Sequence, residues 1–402
     1  MLAVPWYFAQ QALSSKFNLL YAIVTGVTLL WGLFAGSIVD RYNRKSVFLG
    51  TNIVEGCLVL SVGLLGYFTG GLAWPWVILV FGITILGFHL HYPNLYAFAQ
   101  EITEEGKYEK VTSLLEIVGQ TTNVGAGVLA AILLEGFTLE GFSLPLIGEV
   151  YWQVKPWPIW QIFLLDGATY FVSVTLISLI QFESVAKKEV ELGSVWKRIR
   201  SGFNFLKDHK GIFKFGVFSY AVFVVMLVML HALMPLYIKQ HLQADGKVFG
   251  LMEVFYALGA LSAGLFVNRL FRKSHVPRSV RLLMVVAITA LLIAASTQSV
   301  ILFLLVGYLI GFSNAGIRVL RLSYLFDRIP NGIIGRANSV FSIINVFMRI
   351  CFISLFSLSF FGRDANVIWG FAIMAAFVGL SLAVLAWQSY QKRIAYSSAQ
   401  RS

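Results

Sequence analysis

The sequence predicts an all-α polytopic membrane protein that crosses the bilayer about eleven times. Of its 402 residues, 58% are hydrophobic and only 12% are charged, whereas a soluble domain carries roughly 25% charged residues. Apolar runs long enough to cross a hydrocarbon core of about 30 Å recur along the chain. They lack the alternation over ~10-residue segments that is typical of membrane β-barrels. Because lipid offers the backbone no hydrogen-bonding partner, each run is expected to form a helix.

The predicted spans follow one another along the whole chain. Each is a predominantly apolar run of at least about 18 residues, close to the ~20 residues that a spanning helix needs. The runs are 18–39, 46–69, 75–99, 111–134, 158–181, 212–235, 248–270, 280–297, 300–325, 335–361 and 366–389.

A shorter apolar stretch, MLAVPWYFAQQAL, precedes the first span. It is too short to cross the bilayer. We interpret it as the outer half of a first helix whose inner half is missing from this sequence. A short segment lying at the membrane interface is the alternative.

The distribution of Lys and Arg predicts the orientation. With the turn at 40–45 placed in the cytoplasm, 23 of the 31 Lys and Arg residues lie inside, five lie outside and three lie within spans. Such an excess is typical of cytoplasmic loops. We therefore expect a multi-pass protein of the cell (inner) membrane with a cytoplasmic C-terminus. Anionic lipid on the inner leaflet accounts for the net charge of +12 without a nucleic-acid partner.

The longest cytoplasmic connection, 182–211, divides the chain into an N-terminal bundle, 1–181, and a C-terminal bundle, 212–402. Within it, apolar residues recur at helical spacing and basic residues occupy the other faces. This pattern predicts an amphipathic helix on the inner membrane surface. A solvated linker is the alternative. The apolar residues are Trp196, Ile199, Phe203 and Leu206.

One charged motif occurs twice. GSIVDRYNRK at 36–45 and GLFVNRLFRK at 264–273 stand 228 residues apart, and each follows a long apolar run. Two parallel repeats joined by a central loop are one architecture of secondary transporters, which bind substrate at the repeat interface. The duplication therefore predicts a transporter.

The first copy resembles the loop between the second and third helices of the major facilitator superfamily, a Gly-x-x-x-Asp-Arg-x-Gly-Arg-Arg pattern. Asn43 stands where the pattern has its second glycine. Pro5-Trp6-Tyr7 and GRANS at 335–339 are similar to the branch of macrolide and enterobactin exporters. Two features depart from that branch: Gly125-Ala126-Gly127 replaces a Gly-Pro, and the fourth helix lacks an arginine. The residues that match the loop pattern are Gly36, Asp40, Arg41, Arg44 and Lys45.

The resemblance implies two six-helix bundles, alternating access and usually proton antiport. A carboxylate such as Asp40 can pair across a cytoplasmic interface while that face is closed. We expect it to meet the positive N-terminus of the span near Gly335, together with Arg336. Basic residues that only anchor the topology are the alternative. The second copy has no acid, and we expect weaker or positional contacts there, from Gly264, Asn268, Arg269, Arg272 and Lys273.

Ionisable and polar residues inside the spans are candidates for a cavity or a proton site, because each is costly in lipid. The histidines can carry a proton near neutral pH, and hydrogen-bonded positions inside the bundle are the alternative. Arg318 and Arg321 are candidates for an anionic substrate group or for a salt bridge with Glu253. Glu55 also lies within a span, and the sequence suggests no partner for it. The candidates are His89, His91, Tyr92, Asn94, Glu116, Gln120, Asn123, Asp166, Glu253, Arg318, Arg321 and Arg349.

Enzyme functions find no support in the sequence. It contains no P-loop, nucleophile elbow or metal-ligand spacing, and we expect no cofactor and no metal. We expect a monomer that exports a small amphipathic or aromatic compound, coupled to an ion gradient and most simply to protons. An importer of a small organic anion and a receptor-like relative that moves no solute are the alternatives.

Overall fold

In the computed structural model, the described residues are 3–103, 108–144, 148–181, 195–271, 276–363 and 365–399. The chain divides into two compact units. The N-terminal unit is Met1–Glu191 with Asp245–Gly250, and the C-terminal unit is Leu192–Ala244 with Leu251–Ser402. The two copies of the repeated motif therefore fall in different units.

Helices occupy all eleven predicted spans, which confirms the fold class. Within the described residues, nine helical segments are long and apolar enough to cross a membrane. The helices are α1 Ala3–Gln10, α2 Ser14–Arg41, α3 Arg44–Thr69, α4 Trp74–Ile102, α5 Tyr108–Glu135, α6 Ile159–Ser178, α7 Val195–Asp208, α8 Lys210–Ser219, α9 Ala221–Val228, α10 Met234–Gln240, α11 Gly246–Leu270, α12 Val276–Ser296, α13 Val300–Phe326, α14 Asn331–Phe356 and α15 Val367–Ala399.

The span predicted at 212–235 is a divided helix. A break at Tyr220 separates α8 from α9, and a π-helical turn, Met229–Leu233, joins α9 to α10. Pro235 follows this turn. Since proline has no backbone N–H, it cannot bond the carbonyl four residues earlier, and the wider turn accommodates that loss.

A β-hairpin in the loop 135–157 is an addition to the helical fold that the sequence pattern did not predict. Strands β1, Phe137–Leu144, and β2, Gly148–Val154, pair antiparallel, from Phe137 opposite Val154 to Leu144 opposite Gly148. The pairing is irregular between Leu139 and Phe142. Because a hairpin is fixed by cross-strand pairing rather than by one long apolar run, its signal was weak in this Gly-rich segment.

The short helix α1 is packed inside the N-terminal unit. Trp6 and Phe8 are buried, and the ring of Phe8 lies 5.3 Å from that of Phe17 in α2. The amide of Gln10 donates a hydrogen bond to Oε1 of Glu135 at the end of α5, 2.7 Å away. This packing favours a first bundle helix over an interfacial segment.

Helices α3 and α6 are in close contact because glycines line their interface. A Cβ added at Gly66 would overlap the Cβ of Trp160 in α6, and one at Gly167 would overlap Leu60. Small residues allow helix backbones to approach in membranes, where packing replaces the hydrophobic effect as the driving force.

Helix α7 occupies the second half of the predicted linker and belongs to the C-terminal unit. Leu206 is fully buried and Phe203 is half exposed. Gly202 lies against the backbone of Arg336 and Ala337 at the start of α14. The predicted amphipathic helix therefore exists, and one edge of it packs on α14. Residues 182–194 lie outside the described residues, and the membrane-surface location stays a prediction.

An aromatic cluster around Tyr237 joins four helices of the C-terminal unit. The ring of Tyr237 lies 4.9 Å from Phe303 and 4.7 Å from Phe371. Its hydroxyl donates to the carbonyl of Ala294, 2.7 Å away, and lies 3.0 Å from that of Thr297. The tyrosine thereby joins α10, α12, α13 and α15.

We predict that Gly66→Ala destabilises the protein by about 1–3 kcal/mol, the usual cost of overpacking, because the Cβ of Trp160 is fixed to the α6 backbone and cannot rotate away. Gly50→Ala in the same helix is the control, since a Cβ there meets no atom within 4 Å. Unfolding in mixed detergent measures both variants. Equal stability of the two variants would contradict the proposed packing.

Candidate functional site

The first copy of the motif joins α2 to α3. Asn43 caps α3, because its side chain accepts a hydrogen bond from the backbone N of Ser46, 3.2 Å away. The φ angle of Asn43 is −58°, so the glycine of the family pattern is not required at this position. Asn43 therefore caps the N-terminus of α3 at the position where the family pattern has a conformationally flexible glycine.

Arg44 connects three helices of the N-terminal unit. Its Nε donates to Oε1 of Glu101 in α4 over 2.8 Å, and the two side chains are largely buried. Its Nη1 donates to the carbonyl of Val39, 3.2 Å away in α2. The amide of Asn94, also in α4, donates to the Arg44 carbonyl over 2.9 Å. The guanidinium and the backbone of one residue thus hold the C-terminal ends of α2 and α4 and the start of α3 together.

Lys45 extends this network to α6. Its Nζ donates to the carbonyls of Ser178 and Ile180, 2.8 and 2.7 Å away. These carbonyls lie at the C-terminus of α6, where a helix leaves its last acceptors unpaired and favours a cation. Arg44 and Lys45 form contacts within one unit. We call these contacts the inner-turn network, after the cytoplasmic location that the sequence predicts for this turn.

The residues predicted to pair across the cytoplasmic face are only partly described. Gly36, Asp40 and Arg41 lie in α2, and their side chains are outside the described part. Arg336 lies in the second turn of α14, and its Nη1 donates to Oγ of Ser201 in α7 over 3.2 Å. The pairing of Asp40 with this region stays a prediction.

The second copy of the motif ends α11. Gly264 and Arg269 are exposed, and a Cβ at Gly264 would meet no atom within 4 Å. This position therefore shows no close helix approach inside its unit. The side chain of Asn268, and Arg272 and Lys273 altogether, lie outside the described residues.

The polar residues of α4 do not share one environment. Nδ1 of His89 lies 2.9 Å from the carbonyl of Ile85, and the ring of His91 packs edge-on against Phe48, 5.2 Å away. Tyr92 lies 4.3 Å from Phe88. Asn94 is fully buried and bonds Arg44, so it belongs to the inner-turn network rather than to a cavity wall.

Further candidates lie in α5 and α6. Glu116, Gln120 and Asn123 are in α5, and nothing is described of their side chains. Asp166 lies in α6, one turn before Tyr170, whose hydroxyl is hydrogen-bonded to Glu55 of α3. The structure thus gives Glu55 the partner that the sequence did not reveal.

Arg318 and Arg321 have different surroundings in α13 despite their i, i+3 spacing. Arg318 is exposed and Arg321 is 4% exposed. The guanidinium of Arg321 lies 3.6 Å from the ring centre of Tyr220, and its Nη1 donates to the carbonyl of Ser219 over 3.2 Å. Its Nε has no hydrogen-bond partner within the described residues. The break between α8 and α9 at Tyr220 provides both contacts.

A second polar group joins α11 and α13. The amide of Asn314 donates to the hydroxyl of Tyr256 over 2.8 Å. Glu253 lies one turn before Tyr256 and interacts with it electrostatically, as does Arg318. These residues lie on α11 and α13, and their role as a cavity lining stays a prediction.

The π-helical turn carries His231, which interacts electrostatically with Arg349 of α14. Nδ1 of His231 lies 3.2 Å from the carbonyl of Leu227. Single π-helical turns are frequent at functional sites. Arg349 was predicted as a cavity residue, and this role stays a prediction.

Some of these partners carried a signal in the sequence. Asn94 and Glu101 stand seven residues apart, two turns along one face of α4, and both contact Arg44. Tyr220 carried no such signal in the sequence, because its contact with Arg321 joins positions about a hundred residues apart.

Comparison with known proteins agrees with this architecture. The sequence profile described as Major Facilitator Superfamily matches residues 1–352. The chain belongs to the Major Facilitator Superfamily. A search of curated proteins finds no match.

Solved structures of transporters share the fold of this superfamily member. A mutant form of the nucleoside transporter NupG has 11% sequence identity and a TM-score of 0.72, with 96% of this chain and 94% of that chain covered. A bacterial homologue of the iron transporter ferroportin, in an inward-facing state, has 19% identity and a TM-score of 0.64, with the same coverage. A D-xylose–proton symporter has 12% identity and a TM-score of 0.64, covering 95% and 93%. The family and these neighbours indicate a transporter rather than an enzyme.

We predict that Arg44 and Glu101 are energetically coupled. In a double-mutant cycle with Arg44→Gln and Glu101→Gln, the second substitution should cost less after the first, by about 0.5–3 kcal/mol, the range for residues in one network. Unfolding of the purified protein in detergent gives the coupling energy. Glu101→Gln combined with Lys16→Gln is the control, because Lys16 lies at the opposite end of α2 beside Trp74, and that pair should be additive. Additive losses for Arg44 with Glu101 would contradict the ion pair.

Proposed function

We propose that this chain is a secondary transporter that exports a small amphipathic or aromatic compound by alternating access, in exchange for protons. It would act as a monomer in the cell (inner) membrane, with its C-terminus in the cytoplasm. The superfamily match over residues 1–352 supports the transport function. The resemblance of Pro5-Trp6-Tyr7 and of GRANS at 335–339 to macrolide and enterobactin exporters supports efflux.

The inner-turn network is the observation that carries the mechanism. Alternating access by rocking needs each bundle to move as one body. Arg44 ties α2, α3 and α4 at their inner ends, and Lys45 ties α3 to α6. A network of charge-assisted hydrogen bonds is strong and orientation-specific, so these helix ends would move together.

We infer that Asp40 is the latch of the cytoplasmic face. It precedes the last residue of α2, next to the inner-turn network. Its carboxylate would bind the N-terminus of α14, where the helix dipole favours an anion, and would also meet Arg336. The contact would form when the inner face closes and break when it opens.

Proton coupling is supported by the buried acids of the spans and by one structural neighbour, which is a D-xylose–proton symporter. Protons can neutralise acids that are costly to hold charged in lipid. Residues Glu253, Tyr256, Asn314 and Arg318 would line the substrate path in the C-terminal unit, with Arg349 near it.

Import of a small organic anion is the second candidate, and Arg321 favours it. A buried guanidinium whose Nε lacks a partner among the described residues suits a carboxylate or a similar group. A receptor-like relative that moves no solute is the third.

Counterflow tests these candidates directly. Liposomes that contain the purified protein are loaded with one unlabelled compound and diluted into a solution of its labelled form. Macrolides, siderophores and small organic anions are assayed in turn. A transporter accumulates label transiently, whereas a receptor binds it without accumulation. If a strain that lacks the gene becomes more sensitive to a macrolide, and restoring the gene relieves this sensitivity, export is established.

We predict that Asp40→Ala inserts normally into the membrane but loses most transport, because the inner face can no longer close. Counterflow of the identified substrate measures this loss. Asp327→Asn, at an exposed acid after α13, is the control and should transport like the natural sequence. Near-normal flux in the Asp40 variant would refute the latch.

A further inference from the structure

Glu55 lies in the middle of α3, within an apolar helix of 26 residues. Its side chain belongs to the interface with α4 and α6, and the residue is 8% exposed. No lysine, arginine or histidine forms an ion pair with it among the described residues, where Arg44 with Glu101 is the ion pair found. A carboxylate at this depth is costly unless a proton or a cation neutralises it.

The surroundings of Glu55 suit a carboxyl group that gains and loses a proton. The phenol of Tyr170 in α6 is hydrogen-bonded to the carboxyl of Glu55 and also interacts with Thr84 of α4. When Glu55 is charged, Tyr170 can donate to it. When Glu55 is protonated, its O–H can donate to the tyrosine oxygen, and the tyrosine proton can turn towards Thr84. The chain of hydroxyls therefore satisfies both states.

The backbone of α4 shapes the position of the carboxyl group. A Cβ added at Gly87 would overlap the Glu55 carboxylate. Glycine at this position lets the acid lie directly against α4. The substitution Gly87→Ala would displace the acid without changing any charge, which makes the geometry testable apart from the chemistry.

Within the described part of the chain, the titratable groups that act on Glu55 are an acid and a phenol. From α6, Asp166 interacts electrostatically with Glu55 and Tyr170. From α4, His91 packs on Phe48, about two turns from Glu55 along α3. Two neighbouring acids resist being charged together, which favours one shared proton.

We propose that Glu55, with Tyr170 as its hydrogen-bond partner and Asp166 as the neighbouring acid, is the proton-binding site of the N-terminal unit. The inference rests on the proposed proton-coupled transport and names its site. A proton from water on one side of the membrane neutralises the carboxylate, and release to the other side restores the charge. Nothing is oxidised or reduced, and no covalent bond to substrate forms.

The transport test separates coupling from movement of substrate. Glu55→Gln keeps the shape of the side chain and removes the exchangeable proton. We expect this variant to retain counterflow and to lose accumulation driven by a pH gradient, down to the level of empty liposomes. Tyr170→Phe should weaken the same driven accumulation. Normal pH-driven accumulation by Glu55→Gln would overturn the proposal, as would accumulation that follows a sodium gradient instead.

The glycine variants test the geometry. Gly87→Ala should impair pH-driven accumulation more than counterflow. Gly82→Ala in the same helix is the matched control, because a Cβ there meets Val24 only at an ordinary contact distance of 3.6 Å. Equal behaviour of the two variants would contradict the role of the acid position.

A direct measurement distinguishes failure of this site from failure of the proposed function. Infrared difference spectra across a pH titration of the detergent-solubilised protein report protonation of buried carboxyl groups without any substrate. We expect a carboxyl C=O band that is absent in Glu55→Gln and shifted in Tyr170→Phe. An unchanged band in Glu55→Gln would overturn the site even if transport is established. A band lost in that variant would support the site even if no panel compound is transported.

Discussion

Hydrocarbon offers no hydrogen bonds, and this constraint governs every level of the molecule. Backbone groups in lipid must pair within their own segment, so the long apolar runs are helices. Polar side chains in the spans follow the same rule locally. The hydroxyl of Thr25 bonds the carbonyl of Tyr21, and that of Thr51 bonds the carbonyl of Val47. Such i to i−4 bonds let small polar residues lie in a helix without a partner elsewhere.

Groups that cannot be satisfied locally determine how the helices associate. Arg44 and Lys45 reach acceptors on α2, α4 and α6, including carbonyls that a helix end leaves free. Arg321 uses the break at Tyr220, where a carbonyl and an aromatic face become available together. In each case a cation lies where the backbone or an aromatic ring provides negative potential. The constraint that makes the helices therefore also positions the residues proposed for gating and substrate binding.

Irregular backbone occurs where the chain has a reason to depart from a regular helix. The π-helical turn at Met229–Leu233 precedes Pro235 and carries His231, whose Nδ1 lies 3.2 Å from the carbonyl of Leu227. The hairpin of β1 and β2 lies in a loop, where no lipid demands a helix. Glycine contacts such as Gly66 with Trp160 bring α3 and α6 close enough for Tyr170 to reach Glu55.

The helical membrane fold and the positions of its long apolar helices could be predicted from the amino-acid sequence, because apolar length is a local property. The same patterns identified Arg44, Lys45 and Arg321 as residues of interest. Their partners became known from the packing of the helices: Glu101 for Arg44, the end of α6 for Lys45, and Tyr220 for Arg321. The packing also makes the phenol of Tyr170 the partner of Glu55 and brings Asn94 into contact with Arg44. The reason is physical, because the partner of a side chain depends on which helix faces meet. Packing between segments that are distant in the sequence produces no periodic pattern or fixed residue spacing from which the partner could be predicted.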